Sequence, residues 1–468
     1  MADYHQLTQA NGPQTFPTSV CKMGEQSGGS HLVSRRAVLG FLGAAGATVT
    51  FGSLVACSST DNSNRSRADN GILTTAESAG VVVLAQARQA LAEGSFGVGG
   101  VIIDNASGRI IHEGHNTVIQ SLPNGQSGLS GTSFLFDPTN HGERQLVSWY
   151  YENASALGLP KPSELTVVTS LDPCAQCAGS LLAAGFNVGV VAFDDPSGIN
   201  YTFDCTYPDL PPDLRAQAQK SFTYYAIDGV RAQVGASSGP AFVSTSLTKP
   251  TADDCTTVFD ESRAVVAANR KFPGLEPIEM IDPGTLPPTS PIRQALVEAS
   301  PHAFTLRLAD FRRPDSALQT LLSDLVARTP QATNAVAYID PFGNLLSAFA
   351  DRFDISPIAT AFMNVVQSYS RTRFNLTGNP STNAEVAKTL TTPKYGTFVF
   401  LRALAGDAAT SVKDLGIYDL TIEGKAFMPE TANWQYYLDP PTGTEAQFLV
   451  LVAQMKSVTG ANPSRVAI

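Results

Sequence analysis

His141-Gly142-Glu143 and, further along the chain, Pro173-Cys174-Ala175-Gln176-Cys177 collect residue types that bind metal and move protons. One imidazole and two thiolates supply three zinc ligands and leave a fourth position for water, the arrangement of a catalytic rather than a structural site. Glu143 is the free acid of the set. Two residues beyond the histidine, its carboxylate can take a proton from water and later deliver it to a substrate ring and a leaving amine. The cysteines, three positions apart, are predicted on the first turn of one helix. There both feel the positive end of the helix dipole, which favours the thiolate.

The elements that must position these groups are readable from pattern. Thr74 and Glu77 have capping-box spacing, and the apolar run Val81 to Leu91 stops at Gly94, which predicts a helix. Val101-Ile102-Ile103, a turn from Asp104 to Gly108, and Ile110-Ile111 predict a hairpin. His141 to Leu157 has helical periodicity, Leu165 to Thr169 is a β-branched strand, and Val188 to Phe193 is the next strand. Between these strands, Pro173 to Ala184 reads as a helix capped by Asp172 and closed by Gly185. Strand, crossover helix and strand imply a parallel pair in a sheet with helices on its faces, so residues 72–232 are predicted to be an α/β domain. Residues 233–300 are rich in breakers around one short helical piece and read as a linker. A second α/β domain is expected over 301–468.

Three stretches carry a resemblance. The hairpin from Phe96 to Asp104, its far end Glu113-Gly114-His115-Asn116, and Asp137-Pro138-Thr139-Asn140-His141-Gly142-Glu143 resemble the cytidine and deoxycytidylate deaminase superfamily. The likeness is to the branch of guanine, cytosine and transfer-RNA adenosine deaminases, and it spans roughly residues 72–225. His-x-Glu with Pro-Cys-x-x-Cys is the signature of zinc-dependent base deaminases. The resemblance implies a three-layer α/β/α fold and Zn2+ on His141, Cys174 and Cys177. It also implies Glu143 as the proton carrier, Asn116 as hydrogen-bond partner of the base, and Phe96 and the Gly142 amide at the substrate. The implied activity is hydrolytic removal of an exocyclic amine from a small nucleobase or nucleoside, with guanine or cytosine favoured. Alanine is usual where Gly142 stands, and the insertion from Ser121 to Phe136 is longer than compact members need. Two other readings stay open: an inactive deaminase-fold binding module in the cell envelope, and a serine hydrolase built on Ser237 in Gly235-Ala236-Ser237-Ser238-Gly239.

The second block echoes the first. Leu318 to Leu325, Val336 to Asp340, a turn at Gly343, and Leu345-Leu346 repeat the order of the first helix and hairpin. A shift of 231 residues then pairs Thr166 with Thr397 and Val168 with Val399, but sets Ala405 and Ala408 against the two cysteines. His141 and Glu143 fall near Pro357 and Ala359. The block therefore reads as a degenerate deaminase copy without metal, or as an unrelated α/β segment that mimics one. As a copy it would serve as an internal pseudo-dimer partner; otherwise a homodimer is the alternative.

Hydrophobic residues form 43% of the 468-residue chain and charged residues 15%, a composition of packed protein rather than of disorder. With 31 basic and 41 acidic residues the net charge is −10, which offers no general attraction for nucleic acid. Ala37 to Ala56 carries no charge, follows Ser34-Arg35-Arg36 and ends at Leu54-Val55-Ala56-Cys57. This resembles a twin-arginine signal peptide with a bacterial lipoprotein box, residues 1–57, followed by a polar tether, 58–71. The alternative is an uncleaved membrane anchor. The resemblance implies a protein exported folded to the periplasm or outer membrane and held on the membrane by lipid at Cys57. Cleavage before Cys57 removes a net +1 and leaves −11. In an oxidising envelope Cys205 and Cys255 either pair as a disulfide or stay free.

Overall fold

The computed structural model describes residues 71–402 and 434–437, apart from 123–132, 194–197, 201, 208–209, 211, 231–234, 270–278, 312–313 and 392–395. Arg35, Arg36 and Cys57 lie outside the described residues, as do most of the insertion after Ser121 and both Ala405 and Ala408.

Helix α1 (Ala76–Ala92) is capped by Thr75, which exchanges hydrogen bonds with Ser78. The sequence put this box at Thr74 and Glu77. Glu77 instead accepts from the Thr248 backbone N–H at 2.8 Å and the Thr251 hydroxyl at 2.7 Å, tying the helix to a distant segment. Strands β1 (Gly99–Asp104) and β2 (Ile110–His115) form the predicted hairpin, with a register shift between Ile102 and Ile103. Its turn closes on Gly108, whose φ of +71° and close approach to the Leu73 carbonyl leave no room for a side chain. A short ribbon, β3 (Ile119–Ser121) with β4 (Ser133–Leu135), precedes α2 (Gly142–Leu157) and β5 (Leu165–Leu171). Then come α3 (Ala175–Ala184), β6 (Asn187–Ala192), α4 (Pro212–Ser221) and β7 (Phe222–Tyr224).

The sheet order is β2-β1-β5-β6-β7, with β1 antiparallel to both neighbours and β5, β6 and β7 parallel. Strands covered on both faces read as nearly continuous apolar runs, as β1, β5 and β6 do. Ile102, Val167, Val188 and Val190 meet Leu146, Val147 and Leu181 of α2 and α3 on one face. Val101, Ile103, Val168 and Val191 meet α1 on the other. The layers are therefore α/β/α.

After β8 (Ala226–Ile227) and β9 (Ser246–Leu247), helix α5 (Lys249–Asn269) sets Cys255 and Val258 into the α1 face of this core. Helix α6 (Pro291–Ala299) sets Ile292 and Leu296 into the core of the second lobe. The stretch 233–300, read as linker, is thus shared between the two cores. Its loops hold the breakers, and only contacts far away in sequence reveal what its helices cover. Cys205 lies in the core on the α2 and α3 face and Cys255 in the core on the opposite face, so the sheet separates them and neither is in a disulfide. The pairing considered from sequence does not form, because a disulfide needs its Cα atoms within about 7 Å. Burial pushes the two thiols up to about 11 and about 12, which makes them inert packing groups.

The second lobe comprises α7 (Ser316–Arg328), β10 (Asn334–Ile339), β11 (Leu345–Ala350), α8 (Ala361–Gly378), α9 (Asn383–Thr389), β12 (Thr397–Arg402) and β13 (Trp434–Tyr437). Its sheet order is β11-β10-β12-β13, with β10 antiparallel to both neighbours and β12 parallel to β13. The hairpin shifts register between Tyr338 and Ile339, and Gly343 closes its turn at φ +89° against the Leu308 carbonyl. Thr166 faces Ile103 in one sheet and Thr397 faces Ile339 in the other, which is the register of the 231-residue shift. Helix α8 begins at Ala361, so the places of His141 and Glu143 at the start of α2 are taken by Thr360 and Phe362. These replace Pro357 and Ala359, the positions that spacing alone suggested. Phe362 is core, and Thr360 caps its own helix through the Met363 N–H.

Candidate active site

The metal-binding residue types meet at two helix starts. His141 is the N-cap of α2, Cys174 is the N-cap of α3, and Cys177 lies three residues further into α3. The sequence put Asp172 at the cap and Pro173 inside the helix. Asp172 instead accepts from the Asn200 N–H and the Tyr224 hydroxyl, each at 2.7 Å, and so pins the loop beside Cys174. One donor atom from each of His141, Cys174 and Cys177 lies within 4.8 Å of the others, and His141 Nδ1 is 3.5 Å from Cys174 Sγ. Tetrahedral zinc, with bonds of about 2.0–2.3 Å, draws its ligand atoms to separations of this size. Nitrogen and sulfur donors are its preferred set.

The hydrogen bond from Cys177 and the neighbouring His141 hold the Cys174 thiol well below the usual range. Burial first, and the Cys174 thiolate second, push Cys177 up. A divalent cation would reverse that penalty, since a coordinating thiol is deprotonated outright. Among the described residues this is the one group of three or more histidines, cysteines or acids close enough to share an ion.

Glu143, the second residue of α2, is 3% exposed. Its Oε1 accepts from Thr169 Oγ1 and its Oε2 from Cys177 Sγ, each at 3.3 Å. Burial, and then the Cys174 thiolate, raise its pKa toward the range useful for proton transfer. Nothing in the composition around Thr169 marks it. It reaches Glu143 because alternate residues of β5 face α2.

Asn116 is buried at the end of β2. Its Oδ1 accepts from Ser95 Oγ at 2.7 Å and from the Val118 N–H at 3.0 Å, which leaves the amide NH2 as its remaining donor. Ser95, itself wholly buried, also accepts from the Ile119 N–H. Sequence reasoning missed this residue, because a serine in a loop after a helix has no periodicity to betray it. Gly142 sits so that a Cβ would lie 3.1 Å from the Val98 carbonyl oxygen and 3.3 Å from the Asn116 nitrogen. An alanine would fit only if these strands gave way by a few tenths of an ångström. Phe96 packs with Val118, Ile119 and Val266 in a small apolar cluster, so it forms wall rather than an open platform.

Two other patterns resolve as structure: His112 and His115, whose spacing would suit a shared metal only on a helix, and Ser237 of the elbow-like stretch. His112 stacks on Trp149 at 4.0 Å, while His115 faces the other way, between Gln86 and Glu93. They do not converge on a metal. Ser237 is exposed in a loop, and among the described residues the next helix begins only at Lys249, so no helix follows the serine as a nucleophile elbow requires. A polar cleft of about 640 Å3 beside Trp149 and Gln145 shares no residue with the metal group.

Residues 74–193 match the family described as the cytidine and deoxycytidylate deaminase zinc-binding region. The first lobe is a cytidine deaminase-like domain. Among solved structures, this chain is similar to the guanine deaminase from Nitrosomonas europaea, at 19% identity over 42% of this chain and 90% of that one, with a TM-score of 0.26. It is also similar to a deaminase of A-to-I editing at the wobble position of transfer RNA, at 22% identity over 26% of this chain and 78% of that one, with a TM-score of 0.20. Among curated proteins, none matches the chain in sequence. The matched segment of the deaminase domain contains every residue of the metal group, together with Glu143 and Asn116.

Proposed function

We propose that the deaminase domain is a zinc-dependent hydrolase that removes an exocyclic amine from a small nucleobase or nucleoside, with guanine and cytosine favoured. The observation that carries this reading is the buried Glu143 carboxyl beside the His141, Cys174 and Cys177 donors. A purely structural metal site has no use for such an acid. Zinc held there supplies the Lewis acidity that makes water a nucleophile near neutral pH. Glu143 takes one proton of the attacking water at an Oε atom and passes it to the ring nitrogen, then takes the remaining hydroxyl proton and delivers it to the amine, which leaves as ammonia when the C–N bond breaks. The amide of Asn116 donates to the base, and the backbone N–H of Gly142 serves a ring carbonyl. Ammonia release from guanine, cytosine, adenosine and a pterin-type amine tests the reading. Binding of a base without ammonia from any of them would contradict it.

Asn116 and Ser95 are expected to act on binding. Asn116→Ala should raise KM about fivefold and Ser95→Ala somewhat less, because a lost hydrogen bond is worth ~1 kcal/mol, with kcat falling less than KM rises. Steady-state kinetics on the preferred base check this. A fall in kcat alone would contradict the assigned role.

We also propose that the chain is exported through Arg35 and Arg36 and anchored by lipid at Cys57. An Arg35→Lys, Arg36→Lys chain should stay in the cytoplasm, and a Cys57→Ala chain should leave the membrane fraction. Fractionation reads both. Normal export of the double-lysine chain would contradict the route.

A further inference from the structure

We propose that Arg371 and Gln367, on α8 of the second lobe, are positioning residues for the metal-ligand loop of the deaminase domain. This role rests on the reading of that site given above. The loop Asp137-Pro138-Thr139-Asn140-His141 delivers the histidine donor to the start of α2. Its first residue, Asp137, is wholly buried, yet the cation that answers its charge comes from the other lobe. Arg371 donates to Asp137 Oδ2 from Nη2 at 2.8 Å and from Nε at 2.9 Å. The other oxygen, Oδ1, accepts from the Thr139 N–H at 2.8 Å and the Thr139 hydroxyl at 2.7 Å, which folds the loop into a tight turn.

Thr139 is the hub of the grip. Gln367, one helical turn before Arg371 and on the same face of α8, donates to Thr139 Oγ1 at 3.2 Å. Gln176, which lies between the two cysteines on α3, donates to the Thr139 carbonyl at 3.0 Å. Arg144 of α2 donates to Thr139 Oγ1 at 3.1 Å and to the Ile358 carbonyl of the second lobe at 3.4 Å. One threonine thus ties the histidine loop to the cysteine helix on one side and to the second lobe on the other. Phe136 lies under the Arg371 guanidinium at 5.5 Å and closes the same junction.

The second lobe repeats the strand order of the first but has Thr360 and Phe362 where His141 and Glu143 would stand. It contributes grip in place of chemistry. Without Arg371, Asp137 is a carboxylate with no cation facing it from α8, and the turn it anchors loses its tie to that helix and is freed to shift. His141 moves with that loop. Gln367 acts on the same turn through its single hydrogen bond.

The test uses the full chain, with Arg371→Ala, Arg371→Lys, Gln367→Ala and, as a control for loss of second-lobe packing, Val386→Ala. Zinc affinity is read by competition with a chromogenic chelator, and kcat and KM on the preferred base. Partners behind metal ligands are worth about 10–100-fold in metal affinity, so Arg371→Ala should weaken zinc binding by that much and lower kcat with little change in KM. Gln367→Ala should cost severalfold, and Arg371→Lys should recover part of the loss, because it restores the charge without the two-pronged donation. Val386→Ala should lower the melting temperature and leave zinc affinity alone. Wild-type zinc affinity in Arg371→Ala and Gln367→Ala overturns the proposal. Should Arg371→Ala not fold, Gln367→Ala decides alone. A wild-type chain that binds zinc but releases no ammonia overturns the proposed function, while the zinc comparison still decides this one.

Discussion

Replacing Glu143 with glutamine is expected to lower turnover by roughly two or more orders of magnitude while zinc content and fold are kept. The amide has the volume of the carboxyl; its oxygen can still accept from one of Thr169 Oγ1 and Cys177 Sγ, while its NH2 can only donate to the other. It cannot accept a proton and give it up again, and general acid–base catalysis is typically worth about 10²–10⁴-fold. Burial already raises the Glu143 pKa, so the residue is tuned for proton traffic rather than for a fixed charge. The measurement is kcat on the preferred base, alongside metal analysis of the same preparation. Near-normal turnover would remove Glu143 from the mechanism.

The second large effect is on the metal itself. Cys174→Ser with Cys177→Ser is expected to abolish zinc retention, because two of the three clustered donors are lost and a hydroxyl does not replace a thiolate toward zinc. Both residues sit at the start of α3, which needs neither thiol as a cap, so the helix should survive. Metal analysis after desalting reads the result against one equivalent for the wild type. Undiminished zinc in the double variant would show that the ion sits elsewhere.

Much of this site was legible in the sequence because its donors are local in sequence. His141 with Glu143 and Cys174 with Cys177 each occupy one helix start, and helix starts follow short patterns. The boundaries moved by a residue or two where neighbours of similar type compete. Thr75 rather than Thr74 caps α1, and Cys174 rather than Asp172 stands at the start of α3. The hairpin of β1 and β2 was legible because its turn falls between two apolar runs and closes on Gly108.

What stayed hidden depends on chain that returns from far away. Ser95 holds Asn116 from the loop after α1, and α5 covers the α1 face from within a stretch that reads as linker. Cys205 and Cys255 looked pairable until the sheet came between them. Nothing in the sequence marks Arg371 on α8, a helix buried along most of its length, and only tertiary contact shows it answering the buried Asp137. Single-position chemistry is written locally, whereas the grip on it is written across lobes.

The most direct test of the central claim is to strip the purified chain with a chelator, measure ammonia release from its preferred base, and then return one equivalent of zinc. Release should vanish with the metal and come back with it in the wild type, and should not come back in the Glu143→Gln chain. Ammonia release that persists after the metal has been removed would contradict the account.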